Sequence, residues 1–168
     1  MHYTEIFKIP FYTIQIDNWS AKKQKLLDLC NASKFTADSL TTAYTDYYKE
    51  HNYSVEVVEI LYDELNKFSD EIQSPCRISN VWFQKYTKGC FHSPHDHGSL
   101  GFSSVCFVEY DENQHSPPRF ICPFKSLLGE HMEYTPENII EGSMIFFPSM
   151  LLHYVLPTTS TKTRTVMS

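Results

Sequence analysis

The sequence predicts a mainly β protein, a sandwich or jelly roll with helices along one flank. Three observations carry that prediction. Apolar residues recur at helical steps only in the first half, and short alternating runs broken by Gly, Pro, Asn and Ser fill the second half. The length, 168 residues, suits one core and no more. The chain is therefore expected to be a single domain, 1–168, with a strand and helical flank at 1–77 and a jelly-roll core at 78–168.

The elements follow in order. The run from Ile6 to Ile16 alternates apolar and polar residues and predicts an edge strand, because Pro10 has no N–H for a central ladder. Ser20 is expected to cap a short helix with Leu26, Leu27 and Cys30 on one face. Residues 34–52 are polar and rich in tyrosine, and read as a loop or lid around Tyr44, Tyr47 and Tyr48 or as packing. Val58, Leu61, Leu65, Phe68 and Ile72 stand three and four apart, which predicts a helix over about 55–72 with one apolar stripe against a sheet. Strands are then expected at 78–86, 93–97, 101–109, 118–122, 143–148, 151–156 and 163–168, the last tying residue 168 into the sheet.

Bulk properties permit this reading and exclude others. Hydrophobic residues make up 42% and aromatics 15%, enough to fold. A net charge of −6 without a basic stripe argues against tight, sequence-independent grip of nucleic acid, leaving room only for a local basic groove. No apolar run reaches membrane-spanning length, and the start lacks a signal-peptide pattern. Five cysteines, an odd set with no CxxC pair, read as free thiols in a reducing compartment, so cytoplasm is the expected location.

The chemistry concentrates in Tyr86-Thr-Lys-Gly89-Cys-Phe-His92-Ser-Pro-His95-Asp96-His97, answered later by His153 and Arg164. On an extended segment, residues at i and i+2 point the same way, so His95 and His97 share a face while Asp96 faces away. His153 lies between the apolar runs Met150-Leu-Leu and Tyr154-Val-Leu. Three imidazoles so placed suit a metal inside a β-barrel, and Arg164 suits an anionic cosubstrate. His2, His51, His115 and His131 read as surface or hydrogen-bonded residues, and so does His92, a neighbour of the metal being the lesser reading.

Tyr86-x-x-Gly89 with His95 beyond it resembles the Tyr-x-x-Gly…His-x-Asp segment of the prolyl-hydroxylase-like 2-oxoglutarate/Fe(II) oxygenases. Glu141-Gly-Ser-Met-Ile-Phe-Phe-Pro148-Ser-Met-Leu-Leu-His153 is similar to their distal motif, and Arg164 falls at their cosubstrate arginine. Arg119-Phe-Ile-Cys-Pro123 resembles the intervening strand, and Phe7-Lys-Ile-Pro-Phe-Tyr the N-terminal entry. The resemblance covers nearly the whole chain, most sharply 82–168. Within that superfamily the chain is most similar to the short oxygenase-like proteins of phage and marine bacteria, which often carry His-x-His.

The resemblance implies a double-stranded β-helix, a cupin-like barrel with the N-terminal helices packed on one sheet. It implies Fe(II) held by His95, His97 and His153, with no catalytic side chain beyond the ligands. Arg164 would pair with the distal carboxylate of 2-oxoglutarate, and Tyr86 would donate its hydroxyl to that cosubstrate. The implied reaction is that of a dioxygenase, most often a hydroxylase, coupling decarboxylation of 2-oxoglutarate to oxidation of a substrate C–H bond by dioxygen. The chain departs from the pattern in three places. His97 replaces a carboxylate, Val166 stands where a hydrogen-bonding residue is common, and Phe107 stands where a tyrosine often helps hold the cosubstrate. Two alternatives stay open: a cupin-like three-histidine metalloenzyme that does not use 2-oxoglutarate, and a non-catalytic β-sandwich with a structural metal. The substrate is not legible, although Tyr44–Tyr48 and the 110–118 loop are expected rims of its pocket.

Overall fold

A computed structural model describes residues 2, 4, 7–38, 41–50 and 52–168, and its strands sort their side chains between two apolar interiors. Seven strands form one sheet: β1 (Tyr12–Gln15), β2 (Thr36–Ala37), β3 (Tyr44–Thr45), β4 (Phe83–Tyr86), β6 (Phe102–Glu109), β9 (Ser143–Pro148) and β11 (Arg164–Met167). Their order is β1-β9-β6-β11-β4-β3-β2. The facing sheet runs β5-β10-β7-β8, from β5 (His92–His95), β7 (Arg119–Lys125), β8 (His131–Tyr134) and β10 (His153–Val155). The pairings are antiparallel. This is the mainly β, double-stranded β-helix architecture that the resemblance implies.

Alternation explains the two interiors. Along β9, Ile145 and Phe147 join Val105, Phe107, Phe120, Val155 and Val166 between the sheets. Met144 and Phe146 turn to the outer face and meet the helices. There α1 (Trp19–Ala32), α2 (Ser54–Ile60) and α3 (Tyr62–Glu71) bury Leu26, Cys30, Val57, Leu61 and Phe68. Glu64 is fully buried among them, accepting from Lys22 Nζ (2.7 and 2.9 Å) and from the Asp17 N–H (3.1 Å), which pins α3 to α1.

Several expectations need correction. The N-terminal strand is at the sheet edge, but it starts at Tyr12, after Pro10; Ile6 lies outside the described residues. Ser20 does not cap α1. The helix begins at Trp19, and its N-cap is Asn18, whose left-handed backbone (φ 53°) makes no side-chain cap. The expected 55–72 helix is broken at Leu61 (φ −106°, ψ 19°), although the apolar stripe and the bonds Leu61 N–H to Val57 O and Leu65 N–H to Leu61 O (3.0 Å each) cross the break. Residues 34–52 are not simply a loop, because β2 and β3 extend the large sheet beyond β4. Asp46 anchors this segment from a fully buried position, accepting the Phe83 N–H (2.7 Å) and the Tyr53 hydroxyl (2.6 Å). The strand expected from 78 begins only at Phe83, while Trp82 and Ser168 exchange backbone bonds that tie residue 168 to the sheet. Strand β8 was not expected: all four of its residues are exposed, so no alternation marks it.

Candidate metal centre and anion pocket

Pairing of β5 with β10 sets His95 directly opposite His153, so two imidazoles meet across one ladder. His97 follows two residues later, where its N–H donates to Ser149 O at 2.9 Å. The result is a group of three histidines whose potential ligand atoms all lie within 4.8 Å of one another. Among the described residues no cysteine or carboxylate joins the group. Asp96 stays out of the group, as expected, and its Oδ1 accepts the Gly98 N–H at 2.9 Å.

The tautomers follow from the hydrogen bonds. His95 Nδ1–H donates to Ser93 O and His153 Nδ1–H donates to Leu151 O, each at 2.8 Å. Both rings therefore present an Nε2 lone pair to a common point, the arrangement a metal requires. Desolvation favours the neutral rings: it lowers the pKa of the buried His153 to about 3 and that of His97, which keeps one side open to solvent, to about 4, in each case aided by His95 beside them. The His95 pKa is also lowered by burial, against the opposing bond to Ser93. Phe147 and Phe120 wall the His153 ring at centroid distances of 4.9 and 5.5 Å.

His92 belongs to this centre, which the bland reading of it missed. Its ring stacks on His95 at 3.7 Å, nearly parallel at 13°. Positions 92 and 95 on a regular strand would face opposite ways. Here β5 carries an extra residue: His153 pairs with His95 and Val155 with His92, so two steps along β10 match three along β5. Pro94, which has no N–H to pair, sits inside that bulge.

On the large sheet, Arg164 faces inward and pairs in register with Tyr86. Its guanidinium lies over the Tyr86 ring at 4.9 Å and the Phe107 ring at 5.8 Å. Arg164 is 3% exposed, its Nε has no hydrogen-bond partner, and among the described residues no carboxylate pairs with it. Burial lowers its pKa. Phe107 and Val166 offer it no polar help, as their identities suggested. Tyr86 is buried too, its hydroxyl pushed up to about 12 by desolvation, and it donates to Gln84 Oε1 at 3.1 Å. Gly89 makes the turn after it, with φ +86° and its N–H on Thr158 O at 2.8 Å.

A cavity of about 1260 Å³ opens over the histidines and continues under the end of α3; Trp82, Gln84, His92, Tyr47 and Tyr48 line it. Tyr86 and Arg164 are not on its wall. Tyr86 stands between Arg164 and the cavity: its ring covers Arg164, and its hydroxyl meets the cavity-lining Gln84 and His92. Of the expected rims, Tyr47 and Tyr48 do border the cavity. The 110–118 loop does not, because Tyr110, Asp111, Glu112 and His115 line a separate hollow with Lys23, Glu141 and Lys162. His115 is a satisfied buried histidine as expected, accepting from the Asp111 N–H and reaching Lys162 O. His51 lies outside the described residues.

A scan against protein-family models finds no match, and neither does a comparison with curated proteins. Solved structures do match. A prolyl-4-hydroxylase from Pseudomonas putida superposes with a TM-score of 0.67 over 95% of this chain and 90% of its own, at 11% identity. A 2OG-Fe(II) oxygenase-family oxidoreductase from Burkholderia pseudomallei gives 0.68 over 92% and 82%, at 14% identity. The chain has the 2-oxoglutarate/Fe(II) oxygenase fold. HygX from Streptomyces hygroscopicus, solved with nickel and 2-oxoglutarate bound, shares this oxygenase fold with a TM-score of 0.65 over 95% of this chain and 81% of its own, at 9% identity. In this chain the candidate metal group is the trio His95, His97 and His153, a purely imidazole set where the resemblance implied His-x-Asp…His.

Proposed function

We propose that this chain, acting as one domain over 1–168, is a non-haem Fe(II)- and 2-oxoglutarate-dependent dioxygenase, most simply a hydroxylase. The observation that carries the proposal is Arg164, a buried guanidinium with no counter-ion among the described residues, in the same barrel as three convergent imidazoles. A buried charge is costly to leave unpaired, so a site that keeps one is built for an anion that arrives later. A dicarboxylate that reaches from the metal to Arg164 meets that need, and HygX carries nickel and 2-oxoglutarate in the same fold.

In this reading His95, His97 and His153 would hold the metal, His95 and His153 through Nε2 because the carbonyls of Ser93 and Leu151 take their Nδ1–H. Iron with 2-oxoglutarate and dioxygen supplies the oxidising chemistry when bound. The protein positions and encloses. Phe147 and Phe120 exclude water from the inner side of His153. Arg164 grips the distal carboxylate, and Tyr86 directs its hydroxyl toward the cosubstrate once Gln84 releases it. The open cavity over His97 receives the substrate.

Two observations favour a second reading. The donor set has no carboxylate, and Tyr86 stands between the cavity and Arg164, as expected of a three-histidine enzyme that acts on its substrate without 2-oxoglutarate. Anaerobic titration of untagged protein with Fe(II) and then 2-oxoglutarate separates the two. A saturable visible charge-transfer band, weakened by Arg164→Ala and by His97→Ala, supports the dioxygenase. Tight metal binding with no band supports the second reading instead.

A further inference from the structure

We infer that His92 is a positioning residue of this centre, one that fixes both the His95 ring and the Tyr86 hydroxyl. This rests on the dioxygenase reading for the cosubstrate, and on the histidine trio alone for the metal. Two contacts from one ring support it. One face of His92 stacks on His95 at 3.7 Å, and its Nδ1 lies 3.3 Å from the Tyr86 hydroxyl oxygen. Neither contact would exist without the bulge in β5 that brings position 92 to the face of position 95.

The proton inventory fixes the direction of the second contact. The Tyr86 hydroxyl has one proton, and Gln84 Oε1, which only accepts, takes it at 3.1 Å. The Tyr86 oxygen is therefore the acceptor from His92, whose Nδ1 carries the hydrogen. Since the Tyr86 ring in turn covers the Arg164 guanidinium at 4.9 Å, an unbroken chain of contacts runs from the metal ligand to the anion pocket: His95, His92, Tyr86, Arg164. Loss of His92 frees the His95 ring to rotate and leaves the Tyr86 hydroxyl without one of its two partners, free to swing out of reach of the cosubstrate.

The two roles need different halves of the imidazole, so different conservative variants should rescue them. His92→Phe keeps a flat ring against His95 and loses Nδ1. His92→Asn loses the ring and keeps an amide that can donate to Tyr86. Ni(II), which is redox-inert here, serves as the metal probe in calorimetry on untagged apoprotein, followed by 2-oxoglutarate on the Ni(II)-loaded protein. His92→Ala and His92→Asn should weaken Ni(II) binding roughly tenfold, the usual cost of losing an outer partner of a metal ligand, with wild-type affinity in His92→Phe. For 2-oxoglutarate, His92→Phe and Tyr86→Phe should each weaken binding by about fivefold, and the double variant by no more than either alone, as for one shared bond. Asn should restore it. Equal Ni(II) affinity in all the His92 variants, or additive effects of His92→Phe and Tyr86→Phe, overturns the assignment. Wild-type protein that takes up Ni(II) but no 2-oxoglutarate refutes the dioxygenase reading instead, while the Ala-against-Phe comparison with Ni(II) alone still decides whether His92 positions His95.

Discussion

Replacing Arg164 by methionine should make the protein both more stable and insensitive to 2-oxoglutarate. The opposite signs come from one geometry. Arg164 is 3% exposed and leaves a buried Nε–H unpaired, which costs about 1–3 kcal/mol. Desolvation of the charge adds several kcal/mol, and stacking over Tyr86 and Phe107 returns roughly 2 kcal/mol. Methionine fills a similar length with apolar surface, and we expect a net gain of about 1–2 kcal/mol after imperfect repacking. For a chain of this size that raises Tm by roughly 2–8 °C. The same change strands the distal carboxylate of 2-oxoglutarate, a loss of about 2–5 kcal/mol, or roughly thirtyfold in Kd at the low end. Thermal melting of the metal-free protein and calorimetry with 2-oxoglutarate on Ni(II)-loaded protein read the two effects separately. A lower Tm together with an unchanged Kd would refute the view that Arg164 awaits an anion.

Three further outcomes are expected. Burial lowers the pKa of His92 and His153 to about 3 and of His97 to about 4, from an ordinary 6.5. As pH falls the unfolded chain therefore takes up protons first, so stability that is complete above about 6.5 is lost between there and the folded-state values. Melting of the apoprotein should show Tm falling from pH 7 to pH 4, and a separate Ni(II)-loaded sample should release its metal in the same window; a flat melting profile contradicts desolvated neutral rings. His97→Asp restores the missing carboxylate and removes one unit of excess positive charge, so iron should survive dialysis better than in the wild type, as metal analysis will show. Gly142→Ala places a Cβ 2.8 Å from Trp19 ring carbons and from Gln15 Nε2 at φ +83°, and should cost about 2 kcal/mol or more by urea unfolding.

What could be read from the sequence was whatever regular periodicity governs. The i, i+2 spacing of His95 and His97 placed both on one face, and Asp96 on the other, because the chain there is extended. The stripe from Val58 to Ile72 located the helical flank, but not its break, because Leu61 keeps its side chain in the core while its backbone leaves helical geometry. Where periodicity fails, the reading failed with it. His92 was passed over because three residues separate it from His95, and only a bulge converts that odd spacing into a shared face. Strand β8 carries no buried residue, and β2 and β3 are two residues each, too short for any pattern. The 110–118 loop looked like a rim by composition, but composition does not say which end of the barrel a loop closes.

The alternation along β9 has a last consequence. Met144 and Phe146 serve the helices, while Ile145 and Phe147 serve the barrel, so a single strand is a party wall between two interiors that share no side chain. Phe147 packs on His153, so changes on that side are felt at the histidine group. Changes at Met144 or Phe146 act instead on the far reach of the cavity, which both residues line together with Leu65 and Phe68. Packing on the helical side therefore shapes the space over the histidines, while packing on the barrel side shapes the histidine group itself. What neither side tolerates is the loss of one residue from β9, which would turn every tenant of the wall to face the wrong room.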